Sequence, residues 1–270
     1  MTVIKKETKK LKKLKKSKLS STTLKPKKIT KRKLKEDKFE SLNIFSGGCP
    51  PGGYTEGCLH CVAIACGKRL ANGPAGKGLI DNNIIECING KWDWTNKTRV
   101  NYKWISELSG TGKVKHIMLT YMGEISSCNV EFLTAMFHYA FKYKRHDFVF
   151  ITKFPSRLKK KWDAAARITT PGGIDPSKMR NIHVCASIES AKYKYKIDEL
   201  REFDVINRHL FLKPLLDDLG ELNLIGIDSV RVSKEVTIPK CLARECKPEW
   251  VARIRHQALE QDVDFYLDKY

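Results

Sequence analysis

No apolar run in the chain approaches the ~18–20 residues needed to cross a bilayer, so no membrane segment is expected. Residues 1–38 also lack the short apolar core of a secretory signal, which points to an intracellular protein. The nine cysteines are odd in number and unevenly spaced, so they do not form the paired framework of a small secreted domain. Without export they read as thiols in a reducing compartment, where clustered cysteines more often bind metal. Acidic residues are nearly missing from the start of the chain: residues 1–38 hold 17 Lys/Arg against Glu7, Glu36 and Asp37. The one glycine-rich stretch that invites a phosphate-loop reading, "GPAGKG" at 73–78, lacks the required spacing and the following Ser/Thr, so it is read as a loop.

What is present divides in two. Residues 1–38 carry a net charge of +14 out of +21 for all 270 residues, and they offer too little apolar surface to offset the entropy of ordering. They are expected to form a disordered Lys-rich tail. One reading of it is an electrostatic arm for nucleic acid, gaining affinity by releasing counterions from phosphates. The other is a solubilising or targeting tail, including a nuclear-type signal; its lysine-rich composition argues against a mitochondrial presequence.

Residues 39–270 form the body, and the 41% hydrophobic content of the chain is enough to bury a sizeable core. A first short apolar run, "LNIF" (42–45), leads into a cysteine loop. Strand patterns follow at 115–122, 147–153, 181–189, 209–216, 229–235 and 263–268, alternating with amphipathic helical patterns. Such alternation predicts parallel β/α units: an α/β fold built as a full or partial (β/α)6-type, TIM-like barrel, with an open doubly wound sheet as the alternative. Either way, function is expected at the carboxyl ends of the strands. Residues 67–114 read as a loop-rich insertion. Within it, "KWDWTNKTRVNYKW" (91–104) reads as a hairpin or a substrate-side segment. Its aromatics Trp92, Trp94, Tyr102 and Trp104 would stack on bases or pack locally.

The cysteine loop, "SGGCPPGGYTEGCLHC" (46–61), places Cys49 nine residues before a C-x2-C formed by Cys58 and Cys61. Four ligands close a structural zinc site, and Cys66 or His60 would supply the fourth. Three thiolates are instead sufficient for a four-iron cluster that keeps one iron open. Spacing alone leaves both readings standing. Cys87, Cys128, Cys185, Cys241 and Cys246 read as small buried hydrophobes.

With its β/α context, "GGCPPGGYTEGCLHCVA" resembles the cluster loop of radical S-adenosylmethionine enzymes. The ordered stretches "IMLTYMGEI", "FVFITKFPSRL", "NIHVCASIES", "LFLKPLLDDL", "IDSVRVSKE" and "EWVARIRHQALEQDVDFYLDKY" resemble the phage-associated radical-SAM-like (three-Cys-motif) family, which is distantly like spore photoproduct lyase. The resemblance implies a [4Fe–4S] cluster on Cys49, Cys58 and Cys61, with S-adenosylmethionine on the open iron. It places Met122, Gly123 and Glu124 at the amino group of that cofactor, and Thr152, Lys153, Ser187 and Glu189 at its ribose and carboxylate. It further implies an electron-donor protein and radical modification or repair, with the basic charge favouring a nucleic-acid base or nucleotide as substrate. The competing reading is a zinc-stabilised nucleic-acid-binding protein without catalysis. Two departures stand out: Lys213 where the family is acidic, and Asp268 near a usual lysine. Together they read as an exchanged ion pair between adjacent strands, as a sign of altered substrate chemistry, or as solvated strand ends.

Overall fold

The computed structural model describes residue 34 and residues 39–41, 44–65, 74–106, 114–120, 122–237 and 242–268. The chain divides into residues 1–30 and residues 31–270, and all that follows concerns the second part. The expected tail therefore lies outside the described residues except for Leu34, which is buried against the sheet.

In chain order the elements begin with β1 (Phe39–Ser41) and β2 (Phe45–Gly47), then α1 (Val62–Ala65) and α2 (Pro74–Asp81). Next come β3 (Ile85–Ile88), β4 (Lys91–Trp94), β5 (Thr98–Val100), α3 (Lys103–Ser106) and β6 (His116–Met118). The remaining units are α4 (Val130–Lys142), β7 (Asp147–Thr152), α5 (Pro155–Thr169), β8 (Ile182–Ser187), α6 (Lys196–Arg201) and β9 (Asn207–Leu212). The chain closes with β10 (Ser229–Val232), α7 (Pro248–Glu260) and β11 (Asp264–Leu267).

Seven strands form one parallel sheet in the order β1-β6-β7-β8-β9-β10-β11. Strands β6 to β11 make a curled half-barrel, and β1 extends it at the β6 edge. Because the strands follow one another in chain order, the sheet has no point at which strand order reverses. The doubly wound alternative is excluded, since it needs such a point.

One face of the half-barrel is covered by helices. Ile117, Phe148, Phe150, Ile182, Val184, Leu210 and Val230 point into a core completed by Phe132, Phe137, Trp162, Leu200 and Ile254. The helices start where local chemistry lets them. Asn129 accepts a hydrogen bond from the Phe132 N–H at 3.0 Å ahead of α4, and proline opens α5 and α7 where no N–H is needed.

The concave face follows another rule. Across its floor, His116 Nδ1 stands 2.8 Å from Asp147 Oδ2, and His183 Nε2 stands 3.4 Å from Asp147 Oδ1. His183 Nδ1 lies 3.0 Å from His209 Nε2, and His209 Nδ1 lies 2.7 Å from Ser229 Oγ. Above this polar row, Val149, Cys185 and Phe211 pack with Leu34.

Residues 67–114 contain more regular structure than expected. The stretch read as the "GPAGKG" loop enters α2, begun by Pro74 and anchored by buried Leu79. The hairpin is not within 91–104: β3 pairs with β4 across Asn89–Gly90, both at positive φ, while β5 pairs with β2. Trp94 is buried and so packs locally, while Tyr102 stacks on Phe132 with centroids 6.4 Å apart and stays 40% exposed; the side chain of Trp104 lies outside what is described. Of the "LNIF" run, Leu42 and Asn43 lie outside the described residues and Phe45 begins β2, which pairs with β5 rather than with the seven-stranded sheet. Of the other cysteines, Cys128, Cys185 and Cys246 are buried as expected, Cys87 is exposed, and Cys241 lies outside the described residues.

Candidate metal centre

The cysteine loop hangs from the end of β2, which runs beside the chain leaving β6. Phe45 N–H donates to Leu119 O at 3.0 Å, Gly47 N–H to Met122 O at 2.7 Å, and Glu124 N–H to Gly47 O at 2.9 Å. This ladder brings the Met122–Glu124 turn to the root of the cysteine loop. It works because residue 123 is glycine: φ is +148°, and a Cβ there would lie 2.2 Å from the Gly47 carbonyl oxygen. The loop is then tied down at several points. Tyr54 and Ser127 hydroxyls donate to Gly48 O at 2.7 and 2.9 Å, Asn96 N–H donates to Cys49 O at 2.9 Å, and Gly52 N–H donates to the Asp93 carboxylate at 2.9 Å. Gly53 turns the chain over Cys58 so closely that a Cβ would sit 2.2 Å from the Cys58 Cβ.

Cys49 is buried, and Cys58 and Cys61 are half-buried. Cys49 and Cys61 share an apolar pocket with Met122, Ile84 and Trp94. Burial pushes the Cys49 thiol well above its ordinary range, and Glu124, Cys61 and Cys58 add to the effect. Burial also raises Cys61, against hydrogen bonds from the Ile64 and Ala63 backbone. At Cys58 burial acts in the same direction but is outweighed: the Lys153 ammonium, the Thr55 hydroxyl and nearby backbone hold this thiol below its usual value. Cys49 thus senses the charge of both other thiols, and Cys61 that of Cys58. Among the described residues, however, no three Cys, His, Asp or Glu side chains are gathered around a single point to hold a metal ion. Cys66, the proposed fourth thiol, lies outside the described residues. His60 Nδ1 meets Glu235 at 3.0 Å and Glu235 is gripped by Arg244, a contact that uses one ring nitrogen and not the other.

Beside the loop, the ends of β7 and β8 build a buried charged wall. Lys153 pairs with Glu189, whose Oε1 also accepts the Thr55 hydroxyl at 2.6 Å. Lys153 Nζ donates to Thr55 Oγ1 at 2.9 Å, and Thr55 Oγ1 lies 3.5 Å from Cys58 Sγ. Burial alone would lower the Lys153 ammonium, but Glu189, Cys58 and Glu124 hold it above an ordinary lysine. A second lysine, Lys196, is 1% exposed, with Nζ 4.0 Å from Glu189 Oε2, 4.1 Å above the Tyr193 ring and 3.5 Å from Ser187 O. Burial lowers its pKa, against the pull of Glu189.

The structure therefore brings Cys49, Cys58, Cys61, Met122, Gly123, Glu124, Lys153 and Glu189 into one neighbourhood, with different roles. Glu124 is consumed by scaffolding: Oε1 accepts from Ser126 N–H at 2.9 Å and the Thr152 hydroxyl at 2.5 Å, and Oε2 from Lys153 N–H at 2.9 Å. Thr152 has given its only hydroxyl hydrogen to that carboxylate, so it positions Glu124. Ser187 contributes its carbonyl to Lys196.

Lys213 and Asp268 do form an ion pair, but not between adjacent strands. β10 lies between theirs, and Arg231 from that strand donates to Asp268 Oδ1 at 2.9 Å, completing a triad in which Arg231 and Asp268 are buried and Lys213 is partly exposed. Sequence reading missed Thr55, Lys196 and Arg231. The period of α6 (Lys196, Ile197, Leu200 on one face) was the available sign for Lys196.

Among the described residues no helix is long and apolar enough to cross a membrane. No curated protein and no solved structure matches the chain. A family model described as "Protein of unknown function (DUF5131)" matches residues 41–270, nearly the whole body, and the chain belongs to that family.

Proposed function

We propose that this protein is a radical S-adenosylmethionine-type iron–sulfur enzyme, with Cys49, Cys58 and Cys61 as the ligands of a [4Fe–4S] cluster. The observation that supports the reading is the cysteine loop: it carries Cys49 and Cys61 against one apolar cluster and Cys58 beside the Lys153–Glu189 wall, next to the Met122–Glu124 turn that follows a strand of the half-barrel. Three thiolates suffice for a four-iron cluster with one iron open, whereas a closed structural zinc site needs a fourth ligand. Bound there, cluster and S-adenosylmethionine would supply radical chemistry, and the protein would supply binding, orientation and exclusion of water.

In this reading Lys153 and Lys196 place two ammonium groups around the buried carboxylate of Glu189, with the buried Glu124 carboxylate close by, so the wall is charged but balanced. The Met122–Gly123–Glu124 turn fixes the loop root, and Thr152 holds the turn in place. The basic residues 1–30 would act as an arm that brings a nucleic-acid base or nucleotide substrate to the barrel, with a separate protein donating electrons. The test is anaerobic purification followed by iron, sulfide and zinc analysis. Brown protein with iron and sulfide supports the reading. Zinc without sulfide, lost on Cys66→Ala, supports the zinc-stabilised nucleic-acid-binding alternative instead.

A further inference from the structure

Thr55 stands between the cysteine loop and the charged wall, and counting its hydrogens gives it a specific role. Its hydroxyl oxygen accepts from Lys153 Nζ at 2.9 Å, it donates to Glu189 Oε1 at 2.6 Å, and Cys58 Sγ lies 3.5 Å away. A threonine hydroxyl carries one hydrogen. With that hydrogen on Glu189, Thr55 meets Cys58 only as an acceptor, which requires the sulfur to keep its own hydrogen. A metal-bound thiolate has none. The Thr55 hydrogen then has two acceptors to choose from, Glu189 Oε1 and Cys58 Sγ.

Glu189 can release it. Its Oε1 is already met by the Lys153 ammonium, and its Oε2, in a side chain 0% exposed, has no hydrogen-bond partner among the described residues. Lys196 waits 4.0 Å from that second oxygen as a further positive charge. The carboxylate therefore stays compensated when the hydroxyl turns away.

We infer that Thr55 donates a hydrogen bond to Cys58 Sγ in the metal-loaded protein, and that the Lys153–Glu189–Lys196 wall holds it there as a positioning residue that sets the cluster's reduction potential. This inference rests on the cluster reading above. Hydrogen bonds to ligand sulfur and nearby positive charge both favour the reduced, more negative state. Thr55 is thus expected to make the cluster easier to reduce.

The experiment is a potentiometric titration followed by electron paramagnetic resonance on the full-length, cluster-loaded chain, with iron and sulfide counted for each variant. Thr55→Val keeps the shape and removes the hydroxyl. It should move the midpoint negative by about a tenfold change in the reduction equilibrium, ~59 mV for one electron. Thr55→Ser, which keeps the hydroxyl, should stay near the wild type. Glu189→Gln removes the competing charge, leaves Lys153 and Lys196, and should move the midpoint positive. It provides an independent reading should Thr55→Val load poorly. A Thr55→Val midpoint equal to the wild type at full iron and sulfide overturns the inference, as does a Thr55→Ser shift as large as that of valine. A midpoint unmoved or lowered by Glu189→Gln overturns it too. Wild-type protein that binds no iron removes the cluster reading itself, and this inference with it.

Discussion

On the helix-covered side of the sheet, β8 presents Ile182, Val184 and Ala186; on the concave side, one residue out of step, it presents His183, Cys185 and Ser187. Its neighbours repeat the contrast. β9 turns Leu210 and Leu212 to the helices and His209 and Phe211 inward, and β10 turns Val230 and Val232 to the helices and Ser229 and Arg231 inward. Parallel strands buried on both faces usually read as continuous apolar runs. Here only one face follows that expectation. The difference separates two kinds of burial: the helix side is stabilised by area removed from water, while the concave side keeps charges and hydrogen-bonding groups that are costly to bury unless each meets a partner. The first builds the scaffold. The second spends stability to hold polar groups, and its upper end continues into Lys153, Glu189 and the cysteine loop.

The contrast breaks most visibly on the apolar side. Trp162 is 1% exposed and meets Phe137, Phe150 and Phe203 edge-on with centroids 4.7 to 5.5 Å away. Trp162→Ala should cost about 3–5 kcal/mol in denaturant unfolding. The molecules that stay folded should keep their metal stoichiometry.

On the concave side, Asp268→Ala should cost about 3 kcal/mol, because it strands the Arg231 guanidinium beside a partly exposed Lys213. Here the signature is coupling rather than size. The Lys213→Ala, Asp268→Ala double mutant should be milder than the sum of the singles by about 0.5–3 kcal/mol. An additive cycle would remove the triad from the account.

At the junction of the two regions, Gly123→Ala forces a Cβ into the Gly47 backbone at φ +148° and should cost about 2 kcal/mol. Its larger consequence should be a loop that no longer holds metal, read as iron per protein. Removing residues 1–30 should leave the unfolding midpoint unchanged and flatten the salt dependence of nucleic-acid binding. An unchanged salt slope would count against the arm. The cut belongs at 30 rather than 38, since Leu34 is packed against Val149, Cys185 and Phe211.

Much of this contrast is legible in the sequence. Strands β7 to β11 and their helices follow from alternating short apolar runs and 3.6-residue stripes, and the half-barrel follows from their order. The elements that the sequence hides have identifiable causes. The hairpin β3–β4 carries a clear Asn89–Gly90 turn signal between apolar runs, overshadowed by the tryptophan-rich segment after it. Helix α2 is masked by two glycines behind its opening proline. The three cysteines are visible through their spacing, and Lys153 and Glu189 only through resemblance. Thr55 and Arg231 leave little trace, because a polar residue on a strand or loop shows which face it occupies only once its partners are placed. The Lys213–Asp268 pair can be anticipated from two departures read together. The intervening Arg231 cannot, because strand order decides who stands between them.

The central claim is that the concave, polar end of the half-barrel holds an iron–sulfur cluster on three cysteines. The most direct test compares iron, sulfide and visible absorbance of the anaerobically purified full chain with those of Cys58→Ala and Cys66→Ala. The account predicts close to four irons and four sulfides in the wild type, the same in Cys66→Ala, and neither iron nor colour in a folded Cys58→Ala. Zinc without sulfide in the wild type, lost equally from both variants, would contradict it.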